Sequence, residues 1–359
     1  MKSTKINLRL FRILLNVNVI AGLIAFLSFT VLCIILNLTR EVFIPLIIAW
    51  FIVQILRPVN DLTNKMKIHP YLNLAMILMV LVGLGFLGVR FLANLAVDIN
   101  NVYNRYSSEL MQRYNDFMAL FNITPDMLAS IEWGNLGLDF LRNNAGRITG
   151  FIVDISNKFF MTIFFLMFML IEAPYTERKI SKAFSGKTGN NVKEIFSKIS
   201  DQISYYMLNQ SLISAATALC VWGVLALMKI ELAGGWAILA FFLNFIPNVG
   251  SIIATILPVI MAFVQFSTAL EPLVVLVLLT IIQMVIGNII GPKILSDSLG
   301  VSSVVILLSL LFWSMIWGIP GAFLSVPIAS ILKIVCENIT PLNPIAVIMS
   351  NGSAIPTEE

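Results

Sequence analysis

Seven uncharged amides, Asn209, Gln210, Asn244, Asn248, Gln265, Gln283 and Asn288, stand in otherwise apolar stretches of this chain. An amide buried without a partner costs on the order of 2 to 7 kcal/mol, so each must be hydrogen-bonded or wetted. Two chemistries meet that demand. The amides can bond neighbouring helices and the backbone groups freed at helix breaks, or they can replace the water around a small, neutral, polyhydroxylated solute. On the second reading Gln210, Asn244, Asn248, Ser251, Gln283 and Asn288 line a solute path. No nucleophile with a base, no phosphate loop and no cluster of metal ligands accompanies them, so the chain does not read as an enzyme, and no metal or cofactor is expected. The single histidine, His69, reads as a solvated loop residue beside Pro70, and Cys33, Cys220 and Cys336 read as small hydrophobes at unrelated spacings.

Membrane helices must position these amides. The 359 residues are 58% hydrophobic and only 12% charged, about half the charge of a soluble chain. Mean hydropathy is +0.92. From Gln202 to Pro292 only Lys229, Glu231 and Glu271 are charged. The net charge of +4 lies in short segments between apolar runs, which is the positive-inside pattern rather than a nucleic-acid surface.

Following the charges gives a topology. A first span, 13–38, follows Lys2, Lys5, Arg9 and Arg12; it is too long for a signal-peptide core and stays as an anchor. A second, 42–56, returns to a cytoplasmic loop with Arg57, Lys65 and Lys67. The third, 71–97, leads outward to a mildly acidic segment. There Ile99, Val102, Tyr103, Tyr106, Leu110, Tyr114, Phe117 and Phe121 recur at helical spacing, and Thr124-Pro125-Asp126 would start another helix. A fourth span, 151–171, begins with Asp154 and Lys158 one turn apart and paired. It returns to a basic helix with the stripe Val192, Ile195, Ile199 and Ile203, suited to the headgroup level.

After a fifth span at 211–228, the C-terminal half is broken where spans should be continuous. Residues 234–247 would cover about 21 Å as a helix, short of the roughly 30 Å hydrocarbon core. A hairpin that dips in and returns through 250–266 fits better, its tip held by Pro247 and Gly250. After a span at 273–290, ended by Pro292, the arms 302–317 and 320–334 repeat the pattern around Gly318, Pro320 and Gly321, with Pro327 inside the second arm. The fold class is therefore all-α: a polytopic membrane protein with about six full spans plus two broken helical hairpins in an inverted repeat, and a small extracytoplasmic helical segment. Its parts are spans 1 to 3 (1–97), the outer segment (98–150), span 4 with the amphipathic helix (151–210), the transport core (211–337) and a cytoplasmic tail (338–359). Inverted repeats place the solute site near the midplane, between the hairpin tips. The prolines free carbonyls and the glycines permit close approach; turn formation and packing alone would also explain both.

The stretch Asn244-Phe245-Ile246-Pro247-Asn248-Val249-Gly250-Ser251, with Gly287-Asn288-Ile289-Ile290-Gly291-Pro292-Lys293-Ile294-Leu295, Ser298-Leu299-Gly300 and Leu324-Ser325-Val326-Pro327, resembles the autoinducer-2 exporter (AI-2E) family. Leu307-Leu308-Ser309-Leu310-Leu311-Phe312-Trp313 and Ile345-Ala346-Val347-Ile348-Met349-Ser350 look closest to the branch that exports the quorum-sensing signal. Gly291, where that branch has an acidic residue, Asn209 in place of a glycine, and Trp313-Ser314 in place of a small Gly pair depart from it. The resemblance implies an exporter of a small polar signalling molecule such as autoinducer-2, and the lack of a nucleotide site implies a gradient-driven or facilitated mechanism. The resemblance also implies a protein of the bacterial inner membrane, embedded in the lipid bilayer as a homo-oligomer, with a pentamer as one form; the charge pattern makes it multi-pass with both termini cytoplasmic. Two alternatives stand beside it, a sodium/proton antiporter and a non-transporting envelope scaffold.

Overall fold

The computed structural model of the chain describes residues 2–120, 145–183, 186–295 and 300–351. Phe121, the start signal at Thr124-Pro125-Asp126 and the Ser298-Leu299 pair lie outside them. The described residues form helices α1 (Lys2–Leu38), α2 (Arg40–Lys65), α3 (Pro70–Leu120), α4 (Ala145–Ala183), α5 (Gly186–Leu227), α6 (Ala233–Leu243), α7 (Val249–Gln265) and α8 (Leu270–Ile282). A π-helix (Gln283–Ile290), α9 (Gly291–Leu295), α10 (Ser303–Trp317), α11 (Ile319–Asn338), a 3-10 turn (Thr340–Leu342) and α12 (Asn343–Met349) complete the order. Among the described residues the only strand-like pairing is a bridge between Val301 and Ser350. The protein is an all-α polytopic membrane protein; among the described residues seven helices are long and apolar enough to cross a bilayer.

Two helices are longer than the sequence divides them. The third span and the start of the outer segment are one 51-residue helix, α3, because no proline or glycine interrupts the stripe from Ile99 to Tyr106. The amphipathic basic helix and the span after it are likewise one 42-residue helix, α5. The seventh candidate span is α11, 20 residues rather than the 15 between Pro320 and Ile334. Its extra turn is held by Lys333 and Glu337, whose charged ends meet at 2.8 Å. Asp154 and Lys158 pair at 2.6 Å on α4, as their spacing predicts.

The expected continuous span at 273–290 changes character at Gln283. From there to Ile290 it is a π-helix. Pro292 supplies the physical reason: it has no N–H for the carbonyl one turn back, and a wider turn absorbs the mismatch. Gly291 then donates its N–H to the Ile286 carbonyl and α9 begins.

Each broken segment closes on itself. Gln265, at the end of α7, accepts a hydrogen bond from the Glu231 N–H at 2.9 Å and donates to the Lys229 carbonyl at 2.7 Å. The chain therefore enters and leaves the α6–α7 hairpin at one end of the bundle. The α10–α11 hairpin does the same at the end reached through α8, the π-helix and α9: Lys333, near the end of α11, packs beneath Gly300, just before α10. Two hydrophobic clusters hold the pair of hairpins. One joins Phe51, Ile203 and Tyr206 to Phe245, Trp317 and Leu324; the other joins Val221, Leu225, Leu243 and Ile246 to Val275, Leu310 and Ala322.

Candidate functional site: the meeting of the two hairpins

Both hairpins turn by the same device. At Gly250, in the first turn of α7, an added Cβ would lie 1.8 Å from the Leu243 carbonyl oxygen; at Gly321, in the first turn of α11, it would lie 1.9 Å from that of Trp313. Each glycine thus lets the outgoing arm press against the last carbonyls of the incoming one. The turn residues differ. The first hairpin puts Asn248 at φ 60°, whereas the second puts Gly318 at φ 65° and ψ −140°, a region only glycine enters readily. Pro320 opens α11 within its first turn, where the missing N–H costs nothing. Pro327 is buried inside the same helix, so the Phe323 carbonyl lacks its usual helical donor.

The tip of the first hairpin meets the second. The rings of Phe245 and Phe323 lie 4.3 Å apart, centre to centre. The tip of the second hairpin is held elsewhere, by α1: the Asn37 amide donates to the Ile316 carbonyl at 2.8 Å, and the Trp317 indole donates to the Leu36 carbonyl at 3.0 Å. The tip of the first hairpin therefore meets the flank of the second hairpin, not its tip, as the sequence reading of two facing tips expected. Inside that hairpin the Ser309 hydroxyl donates to the Ser325 carbonyl at 2.8 Å.

Six of the seven predicted amides fall into three pairs. Gln210 and Asn244 are brought together. The Gln210 side chain donates to the Asn244 carbonyl at 2.7 Å, and the Asn244 side chain donates to the Ser214 hydroxyl at 3.0 Å. Gln210 and Ser214 are buried and lie about 20 to 25 Å along α5 from its end at Leu227. This staple fixes the depth of the first tip. Asn209 and Gln265 are structural: Asn209 bonds the Tyr205 carbonyl of its own helix, and Gln265 closes the base of the hairpin. Asn248 and Asn288 are exposed, and Ser251 is half-buried with its carbonyl accepting the Thr255 hydroxyl.

Gln283 stands apart. It is 9% exposed, begins the π-helix, and its Oε1 has no hydrogen-bond partner. Gly287 leaves the space beside that oxygen unfilled, an added Cβ there lying 4.0 Å from it. A buried amide oxygen without a donor is costly. It fits a position where a donor arrives with a bound molecule.

The charged residues near the hairpins lie at their bases. Arg105 of α3 pairs with Glu231 at 2.6 Å, and Glu271 is exposed with its carboxylate accepting the Thr268 hydroxyl. Lys333 was not legible as a site residue, yet it is only 8% exposed. The signal for it is a lysine between Leu332 and Ile334, the first charged residue after Ile319 in its helix. Ser330, one turn before it, is fully buried and its hydroxyl has no partner. Among the described residues no group of His, Cys, Asp and Glu could hold a metal ion.

Residues 23–340 match the family described as AI-2E family transporter. The chain is 28% identical over 321 residues to the AI-2 transport protein TqsA of Escherichia coli (strain K12), covering 88% of this chain and 91% of that protein. A protein of Haemophilus influenzae, provisionally named as a transport protein, is 27% identical over 343 residues, 92% of this chain and 94% of the relative. Another so named, from Borreliella burgdorferi, is 31% identical over 251 residues, 70% and 68% of the two chains.

Proposed function

The chain belongs to the AI-2E family of membrane transporters, and from that premise we propose that it exports a small, uncharged, polar signalling molecule of the autoinducer-2 kind. The observation that carries this reading is Gln283, a buried amide oxygen without a donor, on a π-helix beside a glycine gap. A neutral solute rich in hydroxyls supplies the missing donor and needs no counter-charge in a low-dielectric site. Gln210 and Asn244 hold the hairpin tip at the depth where such a solute would pass, while the exposed Asn248 and Asn288, with Ser251, would meet it along the way.

Transport is gradient-driven or facilitated on this reading, in a bacterial inner membrane with both termini cytoplasmic. The bilayer is the first partner. Most of the stretch Val19–Leu38 of α1 is exposed, only Cys33 and Leu36 being half-buried against the second hairpin, which leaves a face for lipid or for a second copy, and the proposed assembly is a homo-oligomer, a pentamer being one form. The test is flux of autoinducer-2 from loaded proteoliposomes containing the purified chain. Efflux above that of empty vesicles, reduced at least tenfold by Gln283→Leu, is expected; equal efflux with and without protein would overturn the reading.

A sodium/proton antiporter has one observation in its favour, the ion pair of buried Lys333 with Glu337 near the end of α11. An imposed sodium gradient that moves protons without solute, and ceases in Lys333→Met, would establish it in place of solute export.

A further inference from the structure

The C-terminal segment returns to the base of the second hairpin and pairs with it. After α11 the chain turns at Thr340–Leu342, forms the seven-residue α12, and lays Met349 to Asn351 antiparallel to Gly300–Ser302. Ser302 donates its N–H to the Met349 carbonyl at 2.8 Å, and Asn351 donates its N–H to the Gly300 carbonyl at 3.1 Å. α12 is lightly anchored: Ala346 is its one buried residue, while Ile345, Val347 and Ile348 are exposed. Segments held by so few buried contacts open first.

What lies under the paired segment is polar. Gly300, at φ 58°, has no side chain, and the space a Cβ would take is approached by the Lys333 ammonium at 3.0 Å. Lys333 is 8% exposed, and Ser330 one turn away is fully buried with an unpartnered hydroxyl. The Lys333 ammonium is paired with Glu337 at 2.8 Å, but the orphan Ser330 hydroxyl beside it is costly. That cost falls if a second state admits water to it. Gly300 supplies the pivot, since its backbone moves between left- and right-handed regions without a side-chain penalty.

We propose that residues 343–351 form a latch on the second hairpin. While Val301 and Ser350 are paired, the end of the bundle around Ser330 and Lys333 is closed; when the pair separates, the Gly300 segment swings away and water reaches those two side chains. The inference rests on the transport reading for its purpose, but not for its test.

The hydrogen bonds flank Val301 and Ser350, which makes them a non-hydrogen-bonded pair with Cα atoms about 4.5 Å apart, inside the range a disulfide spans. The experiment uses the full chain in proteoliposomes, with Cys33, Cys220 and Cys336 replaced by alanine, carrying Ser330→Cys and reacted with a small charged methanethiosulfonate. Adding Ser302→Pro removes one donor of the latch at a φ of −62° that proline accepts; it should speed labelling of position 330 at least fivefold. In a separate chain, Val301→Cys with Ser350→Cys, autoinducer-2 efflux should fall at least tenfold on oxidation and recover on reduction. Unchanged labelling in Ser302→Pro, or full efflux from completely cross-linked protein, overturns the latch. Absence of efflux from the reduced double-cysteine chain and from the unmodified chain alike overturns the transport reading, leaving the labelling result to decide the latch.

Discussion

Phe245, at the tip of the first hairpin, lies 4.3 Å from Phe323, ring centre to ring centre and tilted by 34°, two residues beyond the tight glycine of the second. Phe245 is 3% exposed and shares a cluster with Ile203, Tyr206, Trp317 and Leu324. The two hairpins close at opposite ends of the bundle, and this contact joins them. Any displacement of the second hairpin's flank presses on a tip that Gln210 and Ser214 already hold from α5.

Gly250→Ala and Gly321→Ala should each destabilise the protein, because the added methyl meets a backbone oxygen at 1.8 or 1.9 Å and the arms must separate. Overpacking of this kind costs about 1 to 3 kcal/mol or more. Gly250→Leu should still insert, since the insertion signal is overwhelmingly apolar, but should lose most of its flux. Thermal unfolding in detergent, with membrane-fraction blots, reads both effects. Wild-type stability in Gly250→Ala would mean that the hairpin arms are not closely apposed.

Gln210→Leu and Gln283→Leu should behave oppositely although both remove a buried amide. Gln210 has a partner, so its loss leaves the Asn244 carbonyl short of a donor and costs about 1 to 3 kcal/mol of stability. Gln283 Oε1 has none, so its replacement should leave stability unchanged or raised while solute flux falls. Calorimetry beside efflux separates them; equal loss of stability in both would assign Gln283 a purely structural role.

The Arg105–Glu231 pair is well exposed on the arginine side, and exposed pairs contribute about 0 to 1 kcal/mol. Glu231→Gln and Glu271→Gln should therefore leave autoinducer-2 efflux within a few-fold of wild type. A collapse of efflux in either single variant would place a charge in the mechanism and favour ion exchange.

Single cysteines at 120 and at 187 should be labelled from opposite sides of the membrane, the first from outside and the second from the cytoplasm, given the charge bias of the loops. Impermeant maleimide on intact cells, compared with inverted vesicles, reads this directly. Labelling of position 120 from the cytoplasm would invert the whole topology.

Composition and periodicity alone determined that this is an all-α membrane protein, because hydrophobic runs must match the bilayer and backbone polar groups must be satisfied within helices. The breaks at Pro247–Gly250 and Gly318–Gly321 were legible too, since proline and glycine act locally. So was the pair of Asp154 with Lys158, set by the helical turn. Contacts between distant elements were not legible. Nothing in the spacing of Gln210, Asn244 and Gln283 distinguishes two amides that staple α5 to a hairpin from one left unpaired, because that depends on which side chains the fold brings within about 3 Å. The π-helix at Gln283 depends on how the chain absorbs Pro292 while packed against α5. Lys333 lies beneath Gly300, and the tail returns about 50 residues later to pair with the same loop before α10; only the tertiary structure brings those segments together.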